Sequence, residues 1–328
     1  MRRSGAAAAA IAAALVALAP ARARAQTTIS TSPEQAYDLG QIPTARAVGM
    51  GGALNALGVS TSALYLNPAN MALARVYHIE ALGAYSPEAK RQTYGLSVVD
   101  SVDNSAHVAG GFGGNWSEID PSGLHRLWTD LRGALALPLG NNFALGATGR
   151  WLRVDQGLAE GPFGKSLASD GTPNGQLVNA LTFDAGATAT IGDSLRIGVV
   201  GHNLVNASPL APTTGVAGIG FQTPVFSVEA DGMLDFTTYS SVEGRVMVGG
   251  ELFLADRYAI RAGYGYDTGL KISTPSLGFG YIDPTWAVEI AVRHDIVAEH
   301  AETLGVVSLR YFYDATGSTT PADEPDTL

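Results

Sequence analysis

Few residues of this chain have the types and spacing that an enzyme or a metal site needs. Gly164, Lys165 and Ser166 resemble the end of a phosphate-binding loop, but that motif needs a glycine at position 159, where this chain has alanine. No Gly-x-Ser-x-Gly sequence marks a hydrolase nucleophile. No pair of histidines has His-x-x-x-His or His-Glu-x-x-His spacing; the six are His78, His107, His125, His202, His294 and His300. We therefore predict no enzymatic activity, no metal and no cofactor.

The composition excludes further classes of function. Acidic residues outnumber basic ones by 30 to 20, so the chain lacks the excess of positive charge that typically binds nucleic acid. It has no cysteine, which excludes disulfides and thiolate chemistry. Charged residues make up 15% of the chain and hydrophobic residues 46%, whereas soluble domains are about 25% charged. This balance is not typical of a soluble enzyme.

The first 25 residues have the order of a secretory signal peptide. Arg2 and Arg3 precede an apolar run over residues 6–20, and small residues lead up to Ala25. We predict cleavage before Gln26 and export of the remaining chain.

From residue 76 to residue 313, apolar and polar residues alternate with the two-residue period of β-strands. Tyr258, Ile260 and Tyr264 share one face of such a segment, and Arg257 and Arg261 share the other. Fourteen segments are predicted: 76–86, 91–101, 106–117, 124–138, 142–156, 176–191, 194–205, 213–222, 225–236, 242–254, 257–267, 272–282, 285–297 and 302–313.

Short turns and longer links alternate between these segments, which together with their even number predicts an all-β fold, a 14-stranded antiparallel transmembrane β-barrel of the outer membrane. Charges avoid the apolar face, because a basic residue facing lipid near the midplane costs about 2 to 4 kcal/mol. The predicted lumen charges include Arg132, Arg150, Arg245 and Arg261. A secreted β-sandwich or propeller is the alternative, but aromatic residues cluster toward the strand ends, as in the girdles of a membrane barrel.

Residues 26–75 do not alternate and are predicted to form a compact hatch inside the barrel. The stretch 45–53, Ala-Arg-Ala-Val-Gly-Met-Gly-Gly-Ala, is followed at 63–69 by Ala-Leu-Tyr-Leu-Asn-Pro-Ala. Together they resemble the hatch of the FadL-like long-chain fatty-acid transporters and their PorV-type relatives. The resemblance implies a fourteen-stranded outer-membrane barrel closed by a hatch with an Asn-Pro-Ala turn. The hatch residues it indicates are Gly49, Gly51, Gly52, Tyr65, Asn67, Pro68 and Ala69.

The sequence departs from this family in two places. Residues 59–62, Val-Ser-Thr-Ser, replace an acidic pair that family hatches often carry, and an acidic, proline-containing stretch at 314–328 follows the last predicted strand. We predict that this stretch is a disordered periplasmic tail.

The third predicted strand is dense in glycine, with Gly110, Gly111, Gly113 and Gly114. Glycine inside a strand weakens it or marks a bulge. Since the third strand of the fatty-acid transporters opens the wall sideways, the resemblance implies a lateral gate here. The other interpretation is that these glycines let neighbouring aromatic rings pack.

Together these features predict passive uptake of hydrophobic small molecules, such as fatty acids or other lipids, through a plugged barrel with a lateral exit. Asn67 to Ala69 would form the hinge of the hatch, and Gly49 to Gly52 would lie close to the wall. The lumen arginines would hold the hatch or meet a carboxylate head group. The alternative function is a PorV-like adaptor that binds secreted proteins.

Overall fold

The computed structural model describes residues 44–102, 108–119, 126–156, 176–208, 210–296 and 301–313. In this part of the chain, fourteen antiparallel strands follow one another around a closed barrel in which β14 pairs with β1. The strands are β1 Tyr77–Ser86, β2 Arg91–Asp100, β3 Ala109–Ile119, β4 Arg126–Pro138, β5 Phe143–Gln156, β6 Gln176–Ile191, β7 Leu195–His202, β8 Thr214–Gln222, β9 Phe226–Asp235, β10 Glu243–Leu254, β11 Tyr258–Asp267, β12 Ile272–Ile282, β13 Trp286–His294 and β14 Thr303–Phe312. The predicted fourteen-stranded barrel is confirmed, and the predicted bounds agree with the strands to within three residues.

The two ends of the barrel differ in their connections. At one end, turns of three or four residues join β4 to β5, β6 to β7, β8 to β9, β10 to β11 and β12 to β13. In the turn after β10, Ala255 and Asp256 both have positive φ, 51° and 53°, the backbone that tight hairpins use. We call this the short-turn end. The opposite, long-link end carries the longer connections, such as residues 203–213 between β7 and β8, together with four-residue links after β1 and β11.

The outer and inner faces of the wall follow the predicted alternation. Large apolar side chains point outward and stay exposed, for example Leu135 at 67% and Leu277 at 62%. Outward aromatic rings gather at the short-turn end, where Tyr281 contacts both Tyr258 and Trp286. Charged side chains point inward and are buried: Asp130, Arg132, Arg150, Asp184, Glu229, Asp231, Glu251, Arg261 and Glu289. The wall is therefore apolar outside and polar inside.

Residues 44–73 fill the inside of the barrel, and we call them the inner segment. They form helix α1 (Ala45–Gly49), helix α2 (Thr61–Tyr65) and a 3-10 helix (Pro68–Leu73). Helix α1 packs against β11 to β14, helix α2 against β1 to β4, and the 3-10 helix against β3 to β6. Because a buried segment touches strands around the whole closed sheet, it must lie in the lumen. No helix within the described residues is long and apolar enough to span a membrane.

Several sequence-based predictions concern residues outside this description: the signal peptide at 1–25, the beginning of the predicted hatch at 26–43, the Gly164-Lys165-Ser166 triplet and the tail at 314–328.

Candidate functional site

The inner segment lies against the wall at three glycines of its own. Gly51 and Gly52 have positive φ, 67° and 87°, a conformation that a side chain disfavours by roughly 1 to 2 kcal/mol. A Cβ atom on Gly51 would lie 2.5 Å from the backbone nitrogen of Tyr264, and one on Gly49 would lie 3.1 Å from the Cα atom of Gly278. The backbone of residues 49–52 therefore touches strand backbone directly.

Wall glycines supply the other half of this contact. At inward positions of the strands, an added Cβ atom would collide with the inner segment. These positions include Gly111, Gly113, Gly146, Gly186, Gly198, Gly220, Gly249, Gly263 and Gly278. We call these wall positions the seat of the inner segment. They have no side chains and lie in β3, β5 to β8 and β10 to β12. Sequence reasoning singled out only the glycines of β3, although inward glycines recur along the alternating strands.

Strand β3 does not open the wall. It pairs without interruption with β2 from Gly110 to Glu118 and with β4 from Ala109 to Ile119. The inward Gly111 and Gly113 make room for the inner segment instead. On the outer face, a Cβ atom on Gly114 would lie 3.2 Å from the ring of Trp116. The prediction of a lateral gate in this strand is not met by the structure, because the glycines serve close packing rather than an interruption of pairing.

The Asn67-Pro68-Ala69 turn is fixed by side-chain hydrogen bonds. Asn67 Oδ1 accepts from the backbone nitrogen of Ala69 at 3.2 Å, and so caps the 3-10 helix that Pro68 begins. Asn67 Nδ2 donates to the Asn55 carbonyl oxygen at 2.9 Å and to Thr188 Oγ1 at 3.0 Å. The turn therefore ties two parts of the inner segment to each other and to β6.

Tyr65 joins helix α2 to the wall through both its ring and its hydroxyl. Asn115 Nδ2 donates to the hydroxyl at 2.9 Å, and the guanidinium of Arg132 stands 5.2 Å from the ring centre, within the range of a cation–π contact. Burial raises the pKa of Tyr65 to about 12, although Asn115 and Arg132 act to lower it. The hydroxyl consequently stays protonated and neutral at physiological pH.

The four predicted lumen arginines all pair with wall carboxylates. Arg132 and Arg150 share Asp130 at 2.9 and 2.5 Å, and Arg245 pairs with Asp267 at 2.8 Å. Arg261 bridges Glu251 at 2.5 Å and Glu289 at 2.6 Å. Among these arginines, Arg132 also donates to the inner segment, at the Tyr65 carbonyl oxygen.

Arg46 and four wall carboxylates contribute to the attachment, and sequence reasoning missed all of these contacts. Arg46 on helix α1 pairs with Glu251 at 2.7 Å, and Thr61 donates to Glu80 of β1. Glu229 and Asp231, at successive inward positions of β9, accept from the backbone nitrogens of residues 54–57. Two inward acidic residues on one strand were the only sequence signal for the last contact.

A cavity of about 180 Å³ lies between the inner segment and the wall, toward the long-link end. Its apolar lining includes Val48 and Leu66 of the inner segment and Val216, Met233 and Met247 of the wall. Its polar lining includes Asn55, Arg132, Arg150, His202, Asn203, Asp235, Arg245, Asp267, Arg293 and Asp295. The arrangement can hold a small molecule with a largely apolar body.

The closed fourteen-stranded wall and its filled lumen can now be compared with solved structures. The barrel has the FadL-type fold. The monoaromatic hydrocarbon channel CymD superposes with a TM-score of 0.60 at 16% identity, over 81% of this chain and 96% of CymD. A FadL homologue of Pseudomonas aeruginosa gives 0.58 at 16% identity, over 84% and 99%. The toluene transporter TodX of Pseudomonas putida gives 0.57 at 13% identity, over 82% and 97%.

The likeness lies in structure rather than in sequence. No protein-family model matches this chain, and no curated protein sequence is significantly similar to it. At identities of 13 to 16%, the structures show a common fold.

Proposed function

We propose that this protein is an outer-membrane channel for the passive uptake of small, uncharged hydrophobic molecules, and that its inner segment acts as the hatch. The predicted signal peptide and the apolar outer face support this location, because a membrane barrel presents an apolar band to lipid and a polar lumen. The fold is shared with channels described for monoaromatic hydrocarbons and toluene, which supports the class of solute.

The cavity is the observation that carries this proposal. A dry cavity of about 150 Å³ in a protein interior holds a benzene molecule, so the cavity of about 180 Å³ suits a single substituted ring. The thioethers of Met233 and Met247 add favourable contacts with aromatic rings, of about 0.3 to 1.5 kcal/mol each. A compact ring therefore fits this site better than an extended acyl chain.

The charges around the cavity favour an uncharged solute. Arg132, Arg150 and Arg245 line the cavity, but each pairs with a wall carboxylate. A carboxylate head group would have to compete with these wall carboxylates for the arginines and would add a negative charge beside them, and like charges at close range repel each other. We therefore propose uncharged solutes in place of the fatty acids that the sequence resemblance implied.

The proposed path begins at the cavity and passes the inner segment inside the lumen. An apolar solute crosses the charged outer leaflet poorly, so a site that desolvates it lowers the barrier without an energy source. We do not retain the lateral exit in β3, since that strand is fully paired. We also do not propose the adaptor function, because no observation on the described residues favours it.

Uptake of radiolabelled toluene by intact Gram-negative cells without other hydrocarbon channels tests this function. Cells expressing the protein should accumulate toluene faster than cells with an empty vector. Fluorobenzene should also bind the purified protein in detergent, as measured by ¹⁹F NMR line broadening.

Met247→Trp, which fills the cavity, should abolish both signals, whereas Leu277→Trp on the exposed outer face should preserve them. Uptake equal to the empty vector together with no fluorobenzene binding would overturn the proposal.

A further inference from the structure

One stretch of the inner segment lies between two joints at which the backbone has left-handed φ. Gly51 and Gly52 precede it and Ser60 follows it, and these are the positive-φ residues in the described part of the inner segment. Gly58 adds a further residue without a side chain near the second joint. We call residues 53–59 the flap. Hinges in proteins are a few loop or element-terminal residues that absorb changes in φ and ψ, and both joints lie at ends of helices α1 and α2.

The flap is held by two carboxylates rather than by an ion pair. Asp231 Oδ2 accepts from the backbone nitrogens of Leu54 at 3.0 Å and Asn55 at 3.1 Å. Glu229 accepts from the backbone nitrogens of Ala56 at 2.5 Å and Leu57 at 2.9 Å. Four consecutive N–H groups therefore end on two neighbouring acids. When both acids are ionised, their negative charges repel each other, and the N–H groups of the flap offset this repulsion. The arrangement of the two acids is therefore favourable only while the flap is in place.

The position of the flap separates the cavity from the short-turn end. On β7 to β9, the cavity is lined by residues toward the long-link end, namely His202, Thr214, Val216, Met233 and Asp235. The flap contacts the same strands nearer the short turns, at Gly198, Gly220 and Glu229. As far as the described residues show, displacing the flap would therefore connect the cavity with the short-turn end along the β7 to β9 wall.

Asn55 belongs to both the cavity and the flap attachment. Asn55 lines the cavity, and its Nδ2 atom donates to Asp231 at 2.7 Å. Its carbonyl oxygen accepts from Asn67 and Asn70, both at 2.9 Å. A solute in the cavity would thus contact Asn55, the residue through which the flap is hydrogen-bonded to Asp231, Asn67 and Asn70.

We propose that the flap is the moving door of the hatch, that Glu229 and Asp231 are its latch, and that solute passes along the β7 to β9 wall. This inference rests on the proposed function, since it assigns the path for the same solutes. It places the moving part four to six strands away from β3 around the barrel.

A disulfide lock tests the door, because the chain has no native cysteine. A Cβ atom at Gly220 would lie 2.8 Å from both Cδ atoms of Leu57, so Leu57→Cys with Gly220→Cys brings two thiols within disulfide reach. Oxidation should reduce toluene uptake at least tenfold, and reduction should restore it. The control, Leu252→Cys with Ile260→Cys, joins two exposed, directly opposite wall positions and should transport in both redox states.

Two outcomes would contradict the proposed movement of the flap without contradicting the proposed function. One is equal uptake by the oxidised and reduced forms of the Leu57→Cys, Gly220→Cys variant, once disulfide formation has been verified by mass spectrometry. The other is loss of uptake only when the 3-10 helix is locked to β3 by Met71→Cys with Gly111→Cys, where a Cβ atom on Gly111 would lie 2.9 Å from the Met71 sulfur. That second result would place the moving part on the β3 side.

A second measurement is independent of transport. Glu229→Gln with Asp231→Asn keeps the shape of the latch but removes its charge, and should increase thiol labelling of an Ala53→Cys reporter at least tenfold. Labelling equal to that of the reporter in the native background would overturn the latch. If the native protein takes up no toluene, the proposed function fails, and this labelling experiment alone decides whether the flap is latched as described.

Discussion

A methyl group at Gly263 should push the inner segment off the wall. Gly263 faces inward from β11, and its added Cβ atom would lie 2.7 Å from the Cα atom of Gly51 and closer still to the Gly51 nitrogen. The methyl carbon is fixed to the strand backbone and the atoms it meets are backbone atoms of Met50 and Gly51, so neither side can rotate away. Overpacking of this kind costs about 1 to 3 kcal/mol. In Gly263→Ala, the equilibrium constant for displacing the inner segment from the wall should therefore rise by roughly 5- to 150-fold.

Thiol labelling at Ser62 measures that equilibrium. Ser62 lies in helix α2 and is buried, and Ser62→Cys introduces the only cysteine of the chain at almost the same side-chain size. When reseating is faster than labelling, the labelling rate follows the fraction of molecules in which the segment is displaced. The reporter is remote from β11, so it detects movement of the whole segment rather than a local shift.

Gly232→Ala is the matched control, since its Cβ atom would meet nothing within 4 Å. Gly192→Ala adds a second control, because Gly192 has φ of 61° but also has free space around it. Both should label at the native rate, with the barrel intact by circular dichroism and heat-modified gel mobility. A Gly263→Ala rate equal to that of Gly232→Ala would refute the argument that the seat of the inner segment admits no side chain.

Three further changes test other contacts. Arg46→Met removes the cation of helix α1 while Glu251 keeps Arg261, so we expect at least tenfold faster labelling of the Ser62→Cys reporter. Tyr65→Phe leaves the Asn115 amide without its hydroxyl acceptor, a loss of about 1 to 3 kcal/mol, and should lower the thermal unfolding midpoint in detergent. An excess of unlabelled ethylbenzene should compete with toluene uptake, whereas palmitate should not, because the lumen arginines already have carboxylate partners.

The sequence was sufficient to predict the barrel because lipid and lumen impose opposite demands on alternate residues. The alternation within each strand therefore shows which side chains face outward, as Tyr258 and Ile260 do, and which face inward, as Arg261 does. The turns between strands are short enough to be located in the sequence. Strand pairing in an up-and-down barrel also follows chain order. Local patterns thus determine both the elements and their neighbours.

The attachments of the inner segment could not be predicted in the same way, because their partners are far apart in sequence. Arg46 and Glu251 are 205 positions apart, and Leu54 and Asp231 are 177 positions apart. No periodic pattern in the sequence shows which inward acidic residue accepts a hydrogen bond from which backbone nitrogen. The glycines of β3 were ambiguous for the same reason: a glycine that weakens a strand and one that admits a neighbouring backbone look identical until the neighbour is known.

The two sides of the inner segment differ in the free energy needed to release them from the wall. On the β10 to β14 side, Arg46 belongs to a chain of buried ion pairs that continues through Glu251, Arg261 and Glu289 to Arg310. Lifting α1 breaks both hydrogen bonds from Arg46 to Glu251 while Glu251 keeps Arg261, and a hydrogen bond to a charged group contributes about 1.5 to 3 kcal/mol. On the β7 to β9 side, opening the flap would admit water to Glu229 and Asp231, and water replaces the lost N–H donors. Release on the β7 to β9 side therefore costs less, so the segment should open at the flap while Arg46 keeps α1 in place.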